Sequence, residues 1–117
     1  LETFAVRHHW PRTAFGLRLP GSLVWTGDTR PIAELLKVYA DAGELIAHDC
    51  ALTGNPSHAG LDELEREYPP GLLERCVLYH YARVEEGEAM RRRGRRVALP
   101  GEALTLPEPI SGIMDGS

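Results

Sequence analysis

The chain has 117 residues, 43% hydrophobic and 26% charged, with 12 glycines and 9 prolines; this is the composition of one small, turn-rich packed unit and excludes a second catalytic domain. Thirteen Lys and Arg against seventeen Asp and Glu give a net charge of -4, so the surface as a whole has no general affinity for nucleic acid or anionic lipid. Two cysteines exclude a dense disulfide framework, and no 18-residue apolar run or charged leader occurs, so the reading is a cytoplasmic protein without a membrane span.

β-branched and aromatic residues predict short strands over residues 3–6, 14–19 and 23–25, punctuated by Pro11, Gly16 and Gly21. The segment 26–31 closes the third strand and opens a helix, with Thr29 placed to cap it and Pro31 suited to its first turn. Ile32, Leu35, Leu36 and Tyr39 recur on one helical face, residues 41–43 end the helix, and residues 45–47 read as a buried strand. A loop follows over 53–58, then a short helix marked by Leu61, Leu64 and Tyr68, a stop at Pro69, Pro70 and Gly71, and a further helical turn at Leu72 and Leu73. Residues 76–79 form the next apolar strand and deliver His80 at its end, and residues 83–93 suit a helix. Segments 96–99 and 103–106 read as a terminal hairpin, and the chain from 107 to 117 as a tail. The alternation of strands and helices predicts an α/β layered fold with antiparallel strands at one edge.

Ligands in open α/β sheets gather beyond the carboxyl ends of strands, and three polar clusters fall there: residues 26–29, His48 to Cys50, and His80 with Tyr81. Asp28, His48, Asp49 and His80 carry donors that suit zinc, manganese or iron. His48 and Asp49 are adjacent and point to opposite faces of a strand, so at most one ligates directly. Asp28 equally suits a turn or cap carboxylate, and His80 a hydrogen-bonded histidine at a core edge. His8 and His9 lack metal-peptidase spacing and are candidates to line a pocket. Cys50 reads as a buried thiol. The five arginines within residues 91–96 admit phosphate contact or a solvated face neutralised by Glu85, Glu86 and Glu88.

Four strings in order, GSLVWTGDTRP at 21–31, LIAHDC at 45–50, PSHAGLDEL at 56–64 and VLYHY at 77–81, resemble the later segments of the metallo-β-lactamase fold superfamily, in its ribonuclease Z-like and cyclic-nucleotide phosphodiesterase-like branches. The resemblance spans roughly residues 3–106. It implies half of an αββα sandwich, a mixed sheet with flanking helices, in a hydrolase of phosphodiester bonds in RNA or a cyclic nucleotide. By resemblance two divalent metals, zinc or manganese, hold a bridging hydroxide nucleophile. Asp28 is then the bridging carboxylate and a catalytic residue, and His80 a terminal metal ligand. His58 is a catalytic group at the substrate phosphate, His48 and Asp49 orient the ligands by hydrogen bonds, and Thr29, His8 and His9 line the substrate. The expected His-Ser-Thr string is His58-Ala59-Gly60 here, and the superfamily's His-x-His-x-Asp-His signature is absent from the chain. The resemblance therefore implies a carboxyl-terminal half whose missing histidines come from an amino-terminal segment or partner chain, with a homodimer left open. The competing reading is a non-catalytic binding or structural module derived from the same fold.

Overall fold

The computed structural model describes residues 1–7, 14–79, 83–99, 101–102 and 105–108. Six strands, β1 (Glu2–Ala5), β2 (Phe15–Leu19), β3 (Leu23–Trp25), β4 (Leu45–Asp49), β5 (Cys76–Tyr79) and β6 (Arg96–Val97), form one sheet in sequence order. The first two pairings are antiparallel, and from β3 to β6 all are parallel. The parallel steps are bridged by α1 (Ala33–Tyr39), then by α2 (Leu61–Glu67) with α3 (Pro70–Glu74), and then by α4 (Val84–Arg92). Because the strand order advances in one direction, right-handed crossovers place every helix on the same face of the sheet.

Register explains which residues meet the helices. Val24 pairs with Ile46 and Ile46 with Cys76, while His48 pairs with Leu78 and Leu78 with Val97, so these share a face. With Phe4, all of these except His48 form one buried apolar cluster with Ile32, Leu36, Leu61, Leu64, Leu73 and Met90. Phe4 stacks on Tyr39 with ring centroids 4.5 Å apart, tying the edge strand to α1. The other face carries Phe15, Leu17, Trp25, Ala47 and Tyr79, of which Phe15 and Trp25 are exposed.

One expectation about the helices changes here. Thr29 does not cap α1: the N-cap is Ile32 and has no side-chain cap bond. α2 ends at Glu67, just before Pro69, as expected, and the expected further turn at Leu72 and Leu73 is α3, opened by Pro70 where a missing N–H costs no hydrogen bond. β6 pairs in parallel with β5, because α4 reverses the chain before it; residues 103 and 104 of the second strand expected over 103–106 lie outside the described residues. The αββα sandwich is also corrected. The described residues form a single sheet with one helical layer, and nothing in that arrangement marks it as half of a larger sandwich. No helix among them is long and apolar enough to cross a membrane.

Glu44 is fully buried, accepting from the Gly21 amide (3.0 Å), the Ala42 amide (2.9 Å) and Arg18 Nε (2.8 Å). Burial opposes its ionisation, but these donors outweigh it and hold the carboxyl below its usual range. Three of the five arginines in the run are satisfied internally: Arg93 binds Asp62 and Glu65, Arg95 binds Glu65, and Arg91 binds Glu102 and the Val97 carbonyl. These arginines serve as ion-pair partners of α2 and of the segment after β6, through acids other than the glutamates of α4.

Candidate metal centre

The carboxyl ends of β3 and β4 lie side by side because the two strands pair in parallel, Trp25 opposite Ala47. Just past β3, Gly27 adopts φ +64, where a Cβ would be strained and would meet the Phe15 carbonyl oxygen at 3.0 Å. This turn brings Asp28 and Thr29 over the end of β4. Buried Thr26 secures the junction, its Oγ1 accepting from the Asp49 amide (3.0 Å) and donating to the Gly27 carbonyl (2.8 Å).

His48 and Asp49 do take opposite faces. His48 points into the core: its Nδ1 lies 2.7 Å from the Asp49 carbonyl, which can only accept, so Nδ1 carries the proton and Nε2 accepts from the Tyr68 hydroxyl. Tyr68 accepts in turn from the Ile32 amide at 2.9 Å. Burial drives the His48 pKa down to about 4, with the Asp49 carbonyl partly offsetting it, so the ring is neutral. Asp49 is also fully buried but faces the strand end, where Oδ2 accepts from the Thr29 amide (2.9 Å) and lies 2.7 Å from His58 Nδ1.

His58 is carried by the loop between β4 and α2. Asn55 Oδ1 accepts the Ser57 and His58 amides at 2.9 and 3.0 Å, and the Ala59 amide donates to the Thr29 carbonyl at 2.9 Å. Gly54 and Gly60 close this loop on itself: a Cβ on Gly54 would lie 2.8 Å from the Gly60 nitrogen and collide with the Glu63 carboxylate.

Asp28, Asp49 and His58 thus converge, each offering one ligand atom, all within 4.8 Å of one another, with Asp28 exposed, Asp49 buried and His58 between. The donor chemistry fits a divalent ion, since carboxylate oxygens and an imidazole nitrogen are ligands for zinc and manganese. Three protein donors around one ion leave coordination open to water or an outside ligand. The cluster accounts for one ion; the two-metal centre is not shown. Asp49, expected to orient ligands, stands among the candidate ligands itself. Thr29 is fully buried; its hydroxyl accepts the Arg7 amide (3.0 Å) and donates to the Arg30 carbonyl (2.8 Å), so it serves the cluster through its backbone. His8, His9 and His80 lie outside the described residues.

Tyr79 was not singled out in the sequence. It pairs with Asp49 across β4 and β5, and burial, with the Asp49 and Asp28 carboxylates adding, pushes its phenol up to about 12. Only the strand register could have pointed to it. Cys50 is a buried thiol whose pKa burial pushes far up, and it is no nucleophile at neutral pH.

A family model described as Anti-Pycsar protein Apyc1 matches residues 1–100, and a comparison with curated proteins gives no match. This assignment replaces the ribonuclease Z-like or cyclic-nucleotide phosphodiesterase-like branch of the metallo-β-lactamase superfamily. With that resemblance go the nuclease and phosphodiesterase readings, the hydroxide bridging two metals, and the RNA or cyclic-nucleotide substrate. One continuous match over residues 1–100 also removes the support for a chain active only when an amino-terminal segment or partner completes it. By that match, the chain belongs to the family of the anti-Pycsar protein Apyc1.

Proposed function

We propose that this chain is a divalent-cation-binding module that serves the anti-Pycsar role for which its family is named. The observation that carries the reading is the convergence of Asp28, Asp49 and His58 at the carboxyl ends of two parallel strands. One ion, zinc by preference and manganese as the alternative, sits among the two carboxylates and the imidazole. His80 follows the last residue of β5, whose Tyr79 pairs with Asp49, and is proposed as a further ligand. His8 and His9 are proposed to line the approach. The chain is proposed to be a single unit over residues 1–117, with 107–117 its tail, and two free, buried thiols suit a reducing cytoplasm.

Isothermal titration of the metal-free chain with zinc and with manganese tests this. One ion per chain is expected, with affinity lowered at least about tenfold in Asp49→Asn and in His58→Ala. Binding unchanged in both variants would refute the assignment. Because the imidazole must be unprotonated to bind a metal, affinity is also expected to fall on acidification and protons to be released on binding.

A further inference from the structure

Arg30 follows Asp28 by two residues, yet its guanidinium turns to the loop that carries His58. Nη1 donates to the carbonyl of Asn55 (2.7 Å), to the carbonyl of His58 (3.1 Å) and to Glu63 Oε1 (2.7 Å), and Nη2 pairs with Glu63 Oε2. Glu63, in the first turn of α2, also accepts the Gly60 amide at 3.0 Å. One planar cation therefore ties the segment bearing Asp28 to the turn at 55–58 that bears His58 and to the first turn of α2. Its forked donors reach two carbonyls and a carboxylate together, which a lysine ammonium at the same place cannot reproduce.

We infer that Arg30 is a positioning residue: with Glu63 as its anchor, it holds His58 against Asp49 and so sets the geometry of the metal-binding cluster. The His58 carbonyl belongs to the residue whose Nδ1 meets Asp49 at 2.7 Å. Releasing that carbonyl frees the backbone that aims the ring. The Ala59-to-Thr29 bond survives the loss of Arg30, so the loop loosens around His58 while the fold persists. The inference rests on the proposed metal site for its consequence, but its structural content concerns the metal-free chain.

Three variants test it: Arg30→Ala, Arg30→Lys, and Arg93→Ala, the last removing ion pairs to Asp62 and Glu65 on the same helix without touching the loop. In the metal-free chain, amide exchange across residues 54–60 and the imidazole ¹⁵N shifts of His58 report the loop and the bond to Asp49. Both are expected to change in Arg30→Ala, to a lesser degree in Arg30→Lys, and not in Arg93→Ala. Zinc affinity is expected to follow the same order, falling about ten- to a hundredfold in Arg30→Ala. Unchanged exchange and unchanged His58 shifts in Arg30→Ala would overturn the inference whether or not metal binds. So would equal changes in Arg93→Ala, since these would mark a general loss of stability. Failure of the wild-type chain to bind metal would count against the proposed function alone.

Discussion

Asp49 gathers two contacts on one oxygen, from the Thr29 amide and from His58, while its neighbour His48 closes a chain of hydrogen bonds inside the core. Because His48 titrates near 4 when folded and near 6.5 when unfolded, the unfolded chain binds more protons between those values. The stability that neutral His48 permits is present above pH 6.5 and is lost as pH falls toward 4, a loss of about 3 kcal/mol. Urea unfolding across pH 4 to 7 is expected to show this slope in the wild-type chain and a flatter one in His48→Asn; parallel slopes would contradict it. Strand alternation in the sequence already set His48 and Asp49 on opposite faces, but could not say which face held the site. That choice is made by the crossover hand and by Gly27, which turns Asp28 toward Asp49. Nor could Arg30 be distinguished from any other surface arginine, since its partners lie 25 to 33 positions away.

Among the elements, those with strong local signals were legible: helix α1 from its apolar spacing, α2 from Leu61 and Leu64, and β5 from its continuous apolar run. The parallel partner of β6 was not, because a two-residue strand carries too little pattern to reveal which strand it joins. Arg18 shows how a strand residue on the helical side is tolerated. It pairs with buried Glu44 and with Asp41 and Glu2 at the rim. Replacing it, as in Arg18→Met, leaves Glu44 buried without its cation and is expected to cost about 3 to 5 kcal/mol by chemical denaturation; a cost below about 1 kcal/mol would show that Glu44 has another route to compensation. Removing the carboxylate as well, in Arg18→Met with Glu44→Leu, is expected to recover much of that loss.

For the molecule as a whole, one sheet and one helical layer share a single buried cluster, in which Leu36, Leu61 and Leu64 are fully buried. Leu36→Ala is expected to cost about 2 to 5 kcal/mol in a denaturant titration, against a total stability of order 5 to 15 kcal/mol. The strand and helix order was legible because each element announces itself locally. The number of layers was not, since it depends on what lies against the second face of the sheet. There Phe15 and Trp25 are exposed, at 53% and 40%. A bound ion stabilises the same frame: at a hundredfold excess over Kd, zinc is expected to add about 2.7 kcal/mol to the folding free energy, reversed by a chelator.

The most direct test of a metal centre in this fold is anomalous diffraction from crystals grown with zinc and measured on both sides of its absorption edge. One zinc peak bounded by Asp28, Asp49 and His58 is the expected result; the absence of a peak there, or zinc held only at other surface groups, would contradict it.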